Sequence, residues 1–150
     1  MANNKLLIVR AAIITKQQEV LLLRRATTES NPGKIELPGG EVEKTDMSPF
    51  HAVAREVKEE TGYKIPPASF WIHDAERFSP KTKSGLDRSR MLFAVALPEF
   101  LPVTLDPDAH DAYYKVPLAE AEGMMTQDIW SDWMGQLAIS LARTTDQQVA

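Results

Sequence analysis

The sequence of 150 residues contains no cysteine. This absence excludes disulfide bonds, thiolate nucleophiles, and zinc or iron–sulfur sites that are held by cysteine. It also agrees with a reducing compartment, where disulfides are rare. The 7 glycines and 10 prolines are too few for a collagen-like or low-complexity chain.

The sequence also lacks the run of about 20 apolar residues that a membrane-spanning helix needs. The best apolar stretch, 91–103, is interrupted by Pro98, Glu99 and Pro102. The N-terminal segment is not typical of a signal peptide, because Arg10 interrupts its apolar part. We therefore expect a cytoplasmic protein that does not associate with a membrane.

Positive charge is in the minority, since 17 Lys and Arg face 21 Asp and Glu and give a net charge of −4. Proteins that bind duplex nucleic acid usually carry a basic patch, so nucleic acid is an unlikely partner. Acidic proteins that handle phosphates tend to do so through a metal ion. With 43% hydrophobic and 25% charged residues, we expect a single globular domain over 1–150.

The apolar pattern predicts strands and helices in mixed order. Residues 6–15 are rich in Leu, Ile and Val with little alternation, which is typical of a strand buried on both faces. Residues 20–25 predict a second strand, hairpinned to the first. Further elements are predicted as strands at 69–74, 91–97 and 113–116, a short helix opened by Pro117, and a long helix at 129–142. This order favours an α+β fold built as an α/β/α sandwich.

The last predicted helix carries a stripe of large apolar side chains. Trp130 and Trp133 belong to this stripe, whose members recur at three- and four-residue spacing. We interpret the two indoles as core packing, because such a stripe is far more often a core face than a ligand site.

The helix over 48–61 is the most strongly marked element of the sequence. Ser48 is a suitable N-cap and Pro49 occupies the first helical position, where its missing N–H costs nothing. Gly62 follows as the residue that takes the left-handed conformation at the helix end.

Three acids of this helix share one arc. At about 100° per residue, Glu56, Glu59 and Glu60 lie within about 100° of one another, beside an apolar stripe. Like charges this close repel, and a divalent cation that takes carboxylate oxygens would reverse the effect. The alternative interpretation is a solvated charged face, which is common on exposed helices.

The surrounding residues favour the metal site. The segment REVKEETGY at 55–63 matches REUxEExGU, half of the Nudix box, at every specified position, where U is aliphatic or aromatic. LPGG at 37–40 and SP at 48–49 also resemble that family, and the box spans about 39–63. The chain therefore resembles the small, MutT-like Nudix hydrolases, and the resemblance implies the Nudix fold with a mixed sheet and a loop–helix–loop.

The resemblance also implies roles for the residues of the box. Glu56, Glu59 and Glu60 would bind Mg²⁺, with Mn²⁺ as the alternative, and a main-chain carbonyl of Gly39 or Gly40 would complete the metal's ligands. On this basis we expect Glu56, Glu59 and Arg55 to be catalytic, and the metal to be bound by Glu56, Glu59, Glu60 and Gly40.

One position departs from the family pattern. The box carries a further glutamate upstream of the helix, and counting from the two ends of the box places it at Met47 or at Asp46. The loop is thus one residue longer than the pattern. In the family this glutamate mainly orients the arginine, so we expect Glu43 or Asp46 to hold Arg55 instead.

The general base is either a box glutamate or an acid further along the chain. The stretch 105–117 resembles one in which a Glu-His pair precedes a tyrosine and a tryptophan. His110 and Tyr113 fit that stretch, whereas the glutamate position is Ala109 and the tryptophan position is Lys115. The neighbouring acids, Asp108 and Asp111, are candidates. The alternative is an acidic surface loop.

Arg24, Arg25 and Asp111 are the candidate substrate-binding residues. The two arginines close the second predicted strand, where either one can meet a phosphate or simply face solvent. A basic stretch could guide a polyphosphate, with a plain solvated loop as the alternative. Its members are Lys81, Lys83, Arg88 and Arg90.

Taken with the resemblance, these features predict Mg²⁺-dependent hydrolysis of a pyrophosphate bond in a nucleoside diphosphate linked to a further group. A nucleoside triphosphate or a dinucleoside polyphosphate is the expected substrate, and a homodimer is an allowed assembly. The alternative is a Nudix-fold module that binds or senses a nucleotide with little catalysis. Such modules usually lose box acids, and all three are present here.

Overall fold

The computed structural model describes residues 5–78 and 87–149. Seven strands and three helices succeed one another in this part of the chain, with a 3-10 turn at Pro67–Ser69. The elements are β1 (Lys5–Thr15), β2 (Glu19–Arg25), β3 (Ile35–Glu36), β4 (Gly39–Glu41), α1 (Pro49–Thr61), β5 (Trp71–Phe78), β6 (Asp87–Leu97), β7 (His110–Pro117), α2 (Leu118–Met124) and α3 (Ile129–Val149).

All the strands belong to one mixed sheet, and β1 connects its parts. The strand order is β3-β2-β1-β6-β5, with β4 paired to β1 and β7 paired to β2. β1 runs parallel to β6 from Lys5 to Thr15 and antiparallel to β2 and β4. This arrangement places the short β4, which begins at Gly39, directly against the centre of the sheet.

Helices cover both faces of the sheet. Val9, Ala11 and Ile13 of β1 face the cluster to which α1 contributes, whereas Ala12 and Ile14 face the cluster to which α2 and α3 contribute. Because β1 is buried on both faces, it has the continuous apolar run seen in its sequence. The predicted α/β/α sandwich with a mixed sheet is confirmed.

Both ends of α1 follow their sequence signals. The Ser48 side chain accepts a hydrogen bond from the His51 amide, and Pro49 begins the helix. Gly62 ends it in the left-handed conformation with φ of 80°, and its amide donates to the Lys58 carbonyl. The register of the box acids on α1 is therefore fixed from both ends.

Several elements differ from their predicted bounds: β6 begins at Asp87 and not at 91, β5 continues to Phe78, and α3 continues to Val149. β5 begins at Trp71 because the 3-10 turn occupies the preceding residues. β7 begins at His110, where the sequence predicted a loop, because it pairs with β2 as far as Arg25. The candidate acidic loop is therefore partly a strand, and this pairing buries His110.

Among the residues that the structure describes, no helix is both long enough and apolar enough to cross a membrane.

The predicted basic stretch is described only in part. Lys81, Lys83 and the side chain of Arg88 lie outside the described residues. Arg90 lies 3.4 Å from Glu76 in an ion pair on the neighbouring strand.

Truncating Trp133 tests the structural role of the indole stripe. Trp133 is 4% exposed and packs edge-on against Trp130 at a centroid distance of 5.5 Å. Trp133→Ala should lower the free energy of unfolding by about 3–5 kcal/mol, because a large buried side chain is lost. Ile139→Ala is the control on the same helix, since Ile139 is 56% exposed, and should change it by less than about 0.5 kcal/mol. Urea unfolding measures both, and equal stabilities would show that the stripe is not core.

Candidate functional site

The site forms where the Gly-Gly turn meets the face of α1. The Gly39 amide donates a 2.7 Å hydrogen bond to Oε2 of Glu60. A Cβ on Gly40 would stand 2.6 Å from Oε1 of Glu56, and a Cβ on Gly39 would collide with the backbone of β1. Glycine is therefore required at Gly39, where the obstacle is the backbone of β1, whereas a side chain at Gly40 would have to displace the carboxylate of Glu56.

The three box acids differ in burial, which the helical wheel did not distinguish. The Glu56 and Glu60 side chains are 14% and 12% exposed, whereas that of Glu59 is 55% exposed. Glu60 turns toward the sheet, and Glu59 faces solvent within reach of Arg55. The site thus consists of two buried carboxylates and a third at its rim.

Burial disfavours the ionised form of the two inner acids. Burial, with a smaller contribution from the charge of Glu56, raises the pKa of Glu60 to about 8 against the opposing effects of the Gly39 amide and Arg10. Burial likewise raises the pKa of Glu56, against the opposing charge of Arg55. The protein's own groups therefore stabilise the ionised form of these two acids only in part.

Arg55 ties the box loop to the helix. Its Nε and Nη2 donate to the two carboxylate oxygens of Asp46, each at 2.9 Å. Its Nη1 donates to Oε1 of Glu56 at 3.1 Å and to Glu59 at 3.2 Å. The hydrogen bonds that Arg55 donates to Asp46 are the main reason that the pKa of Arg55 is raised.

This geometry decides which acid holds the arginine in the longer loop. Asp46 makes the two-oxygen contact, whereas Glu43 is exposed and lies 3.7 Å from Arg55. The Glu43 amide in turn donates to Asp46 at 2.7 Å, which fixes the aspartate. Met47, the other position found by counting, is 85% exposed and takes no part.

The donors of the site suit a hard divalent cation. In the part of the chain that the structure describes, no three acidic or histidine side chains are already grouped so as to hold a metal ion. The donors that are in place are Glu56 and Glu60, with Glu59 on the same helix face. Mg²⁺ and Mn²⁺ prefer carboxylate and carbonyl oxygens, and a cation would offset the uncompensated charge of the two buried acids.

A second buried ionic cluster adjoins the site and was not identified from the sequence. Glu36 accepts a 2.9 Å hydrogen bond from Nε2 of His110. Arg10 and Arg25 lie 3.4 and 3.3 Å from its two oxygens. Burial alone would raise the pKa of Glu36, but the His110 hydrogen bond and the two arginine charges outweigh it and lower the pKa below 4.5. Arg10 was the available signal, because a charge within a strand buried on both faces needs a buried partner.

The candidate substrate-binding residues lie in two different environments. Arg24 donates to Asp111 at 2.7 Å and to the Tyr114 hydroxyl at 3.3 Å, on the exposed edge of β7. These two candidates are thus brought together as a pair, and the hydrogen bond that Arg24 donates to Asp111 raises the pKa of Arg24. Arg25 donates hydrogen bonds to Glu29 and Ser30, which are near it in the sequence, and to Glu36 of the buried cluster.

The residues of the downstream stretch, 105–117, also lie in different environments. His110 points inward to Glu36, whereas Tyr113 is 42% exposed and lies under the Lys115 ammonium at 5.9 Å. Asp108 is exposed before β7, where its amide donates to Asp106. The stretch therefore supplies one buried histidine to the site region and leaves its acids at the surface.

Comparison with known proteins was made by family model, by sequence and by structure. The family model of the NUDIX domain matches residues 5–134. No curated protein sequence matches the chain.

Solved structures resemble the fold over nearly the whole chain. A MutT protein from Methanosarcina mazei Go1 is 29% identical with a TM-score of 0.70, covering 91% of this chain and 94% of that one. The E. coli dihydroneopterin triphosphate pyrophosphohydrolase is 19% identical with a TM-score of 0.71, covering 89% and 95%. A C. elegans Ap4A hydrolase is 21% identical with a TM-score of 0.63, covering 90% and 98%.

Replacing the partner of Arg55 tests which acid holds it. Asp46→Asn should lower the free energy of unfolding by about 1–3 kcal/mol, because a two-oxygen, charge-assisted contact loses its charge. Glu43→Gln is the matched control and should stay within about 0.5 kcal/mol, since exposed pairs contribute little. Denaturant unfolding at neutral pH measures both. A larger loss for Glu43→Gln would assign the role to Glu43.

The pH dependence of stability tests the burial of Glu60 in metal-free protein. Its pKa is about 8 in the folded state against an ordinary 4.5, so between these values the folded chain holds a proton that the unfolded chain has released. Wild-type stability should therefore fall as pH rises through this window. Glu60→Gln lacks this loss and should become the more stable protein toward pH 8. Melting temperatures in EDTA, compared across the window, measure the difference; parallel curves would contradict the assignment.

Proposed function

The chain belongs to the Nudix family of pyrophosphohydrolases, and from this premise we propose that it hydrolyses a pyrophosphate bond of a nucleotide with Mg²⁺, or Mn²⁺ in its place. One observation carries the proposal. Glu56 and Glu60 are buried together beneath the Gly39–Gly40 turn, with raised pKa values. Two buried acids of this kind are costly in a structural role and suited to a cation that accompanies a polyphosphate.

Each residue of the site has a role in the proposal. Glu56, Glu59 and Glu60 would hold the divalent cation, joined by the main-chain carbonyl of Gly40. Arg55 orients Glu56 through its 3.1 Å hydrogen bond and is itself fixed by Asp46. Such support from outside the ligand shell keeps a carboxylate in one orientation.

The reaction is an attack of water on one phosphorus of the anhydride. A P–O bond forms from the water, the bridging P–O bond breaks, the bridging oxygen leaves with the other phosphate, and a proton is released. The bound cation would supply charge neutralisation and polarisation of the phosphoryl group. The proton passes to a carboxylate of the box face. Asp111, the downstream alternative, is already paired with Arg24.

The substrate that we propose is a nucleoside triphosphate or a dinucleoside polyphosphate. The names of two structural relatives, a dihydroneopterin triphosphate pyrophosphohydrolase and an Ap4A hydrolase, support this class.

Location and assembly remain predictions from the sequence. We propose that the protein is cytoplasmic and that it can form a homodimer. Size-exclusion chromatography with light scattering decides the assembly without reference to activity.

A substrate panel tests the function directly. The panel contains normal and oxidised nucleoside triphosphates, ADP-ribose and diadenosine polyphosphates, each with Mg²⁺, with Mn²⁺ and with EDTA. Phosphate-containing products should appear only with a divalent cation, and the ³¹P spectrum of the products identifies the bond that is broken. Tight nucleotide binding without turnover would instead indicate a binding module. Full turnover in excess EDTA would refute the metal requirement.

Charge-removing variants test the box acids. Glu56→Gln and Glu60→Gln should each abolish most turnover on the best substrate, because glutamine keeps the side-chain size and removes the charge that binds the cation. Mg²⁺ should raise the melting temperature of wild type by mass action and raise that of the variants less. Glu99→Gln, an exposed acid outside the box, is the matched control and should behave as wild type. If both box variants hydrolyse the substrate at wild-type rates, the acids form only a solvated face and do not bind an essential cation.

A further inference from the structure

One side of β7 has no partner strand in the part of the chain that the structure describes. β7 pairs with β2 along its whole length, and no other described strand pairs with it. An unpaired strand edge presents a row of backbone donors and acceptors and is a template for pairing with another chain. The residues along this edge therefore decide whether a second strand can add to it.

The backbone groups that point away from β2 belong to Tyr113 and Lys115. At the end of the β2–β7 ladder, the Leu118 amide donates to the Gln18 carbonyl at 2.8 Å. Hydrogen-bonded and non-bonded pairs alternate along an antiparallel ladder, so every second residue from Ala112 to Val116 bonds to β2. The amides and carbonyls of Tyr113 and Lys115 therefore point outward, and no described group bonds to them.

The usable part of this edge is short and symmetric about Tyr114. At one end, Pro117 has no N–H to donate. At the other end, the register between β2 and β7 shifts before Ala112 and leaves Asp111 as an extra residue, and such a bulge ends regular pairing. The segment from Ala112 to Val116 lies between these limits. A two-fold axis through Tyr114 would therefore pair this segment with the same segment of a second copy.

The outward backbone groups match in this pairing. Tyr113 and Lys115 each lie one residue from the axis, so Tyr113 of one copy is opposite Lys115 of the partner subunit. Both residues have their amides and carbonyls free, and opposite residues of this kind exchange both N–H···O=C bonds. Each copy thus satisfies the outward groups of the other.

The side chains of these two residues are also complementary. Tyr113 and Lys115 lie opposite Leu23 and Leu21 of β2, on the face of the sheet that α1 covers. The Lys115 ammonium already lies 5.9 Å from the Tyr113 ring and 5.3 Å from the Phe100 ring. In the paired arrangement each ammonium also meets the Tyr113 ring of the other copy, and a cation is attracted to an aromatic face.

The strand at the end of the sheet, β5, also has an unpaired side, but its charges oppose the same use. Asp74 and Glu76 pair with Leu92 and Arg90 of β6 and therefore lie on one face of β5. Antiparallel pairing of two copies about an axis in this segment would place acids opposite or diagonal to acids, which is destabilising. Charge complementarity therefore favours the edge of β7.

We propose that the Ala112–Val116 edge of β7 is the surface through which two copies of this chain pair, antiparallel about Tyr114, into one continuous sheet. The same patch meets itself across the axis, so the contact closes as a dimer. The proposal names the interface of the homodimer proposed above and is independent of the chemistry of the box. A contact between two short edges belongs to the small, reversible interfaces.

The absence of cysteine makes the register directly measurable. Opposite residues of a non-hydrogen-bonded pair have Cα atoms about 4.5 Å apart, which a disulfide can span. Tyr114→Cys should therefore cross-link with its own copy under mild oxidation. Ala112→Cys chains mixed with Val116→Cys chains should cross-link as a heterodimer, and neither should do so alone. Ile72→Cys is the control on the exposed part of β5 and should remain monomeric.

The mixed experiment keeps the test valid where Tyr114→Cys is destabilised by the loss of its hydrogen bond from Arg24. Melting temperatures of all the cysteine variants, measured under reducing conditions, identify the ones that fold as wild type does.

Sedimentation velocity of the full-length chain measures the reversible association. Wild type should pass from monomer to dimer as its concentration rises. Lys115→Glu should raise the dissociation constant at least about fivefold, because the cation–π contacts between the copies are lost. Lys64→Glu is the matched control, since Lys64 is an exposed lysine outside β7 and the change of charge is the same. It should associate as wild type does.

Three results would overturn the proposal. A dimer that is unaffected by Lys115→Glu, or that cross-links through Ile72→Cys, uses another surface. Cross-linking of Tyr113→Cys with itself, in place of Tyr114→Cys, places the axis one residue away and refutes this register. A chain that stays monomeric at every concentration refutes both this interface and the homodimer proposed above. The proposed hydrolysis is tested separately by the substrate panel, so its failure is distinguishable from all of these.

Discussion

The burial of negative charge where α1 meets the box turn is the constraint on which the rest of the site depends. Glu56 and Glu60 are taken out of water beside a backbone that offers one amide, from Gly39. Burying ionised groups is expensive unless they are paired. Arg10 and Arg55 offset part of this cost. A divalent cation can offset the rest, and a polyphosphate can bind to that cation.

Two ionic clusters keep these acids in place from opposite directions. On the solvent side, Asp46 fixes Arg55, which reaches Glu56 and Glu59. On the core side, Glu36 contacts Arg10 of β1, Arg25 of β2 and His110 of β7. The first cluster is local to the box loop and its helix. The second requires β1, β2, β3 and β7 of the sheet to be correctly paired, so the chemistry of the box depends on the whole fold.

Much of this protein was predictable because its signals are short in range. The caps at Ser48 and Gly62 and the apolar run of β1 each depend on neighbouring residues, and each was confirmed in the structure. The pattern of the box is equally local, and the family that it indicated is confirmed by the matching family model. The bounds of β7 were missed because its first residues pair with β2, about 85 positions earlier in the chain. For the same reason Arg24 and Asp111 were identified singly, and their pairing at 2.7 Å appears only in the fold.

The sequence by itself determined the α/β/α class, the helix that carries three acids on one face, and the family to which the box belongs, since helix periodicity and capping are local properties. Tertiary structure alone decided that Glu60 is buried and Glu59 exposed, that Asp46 rather than Glu43 holds Arg55, and that His110 is buried against Glu36. Burial and ion pairing arise when distant segments exclude water from the same volume, and spacing along the chain carries no measure of that exclusion.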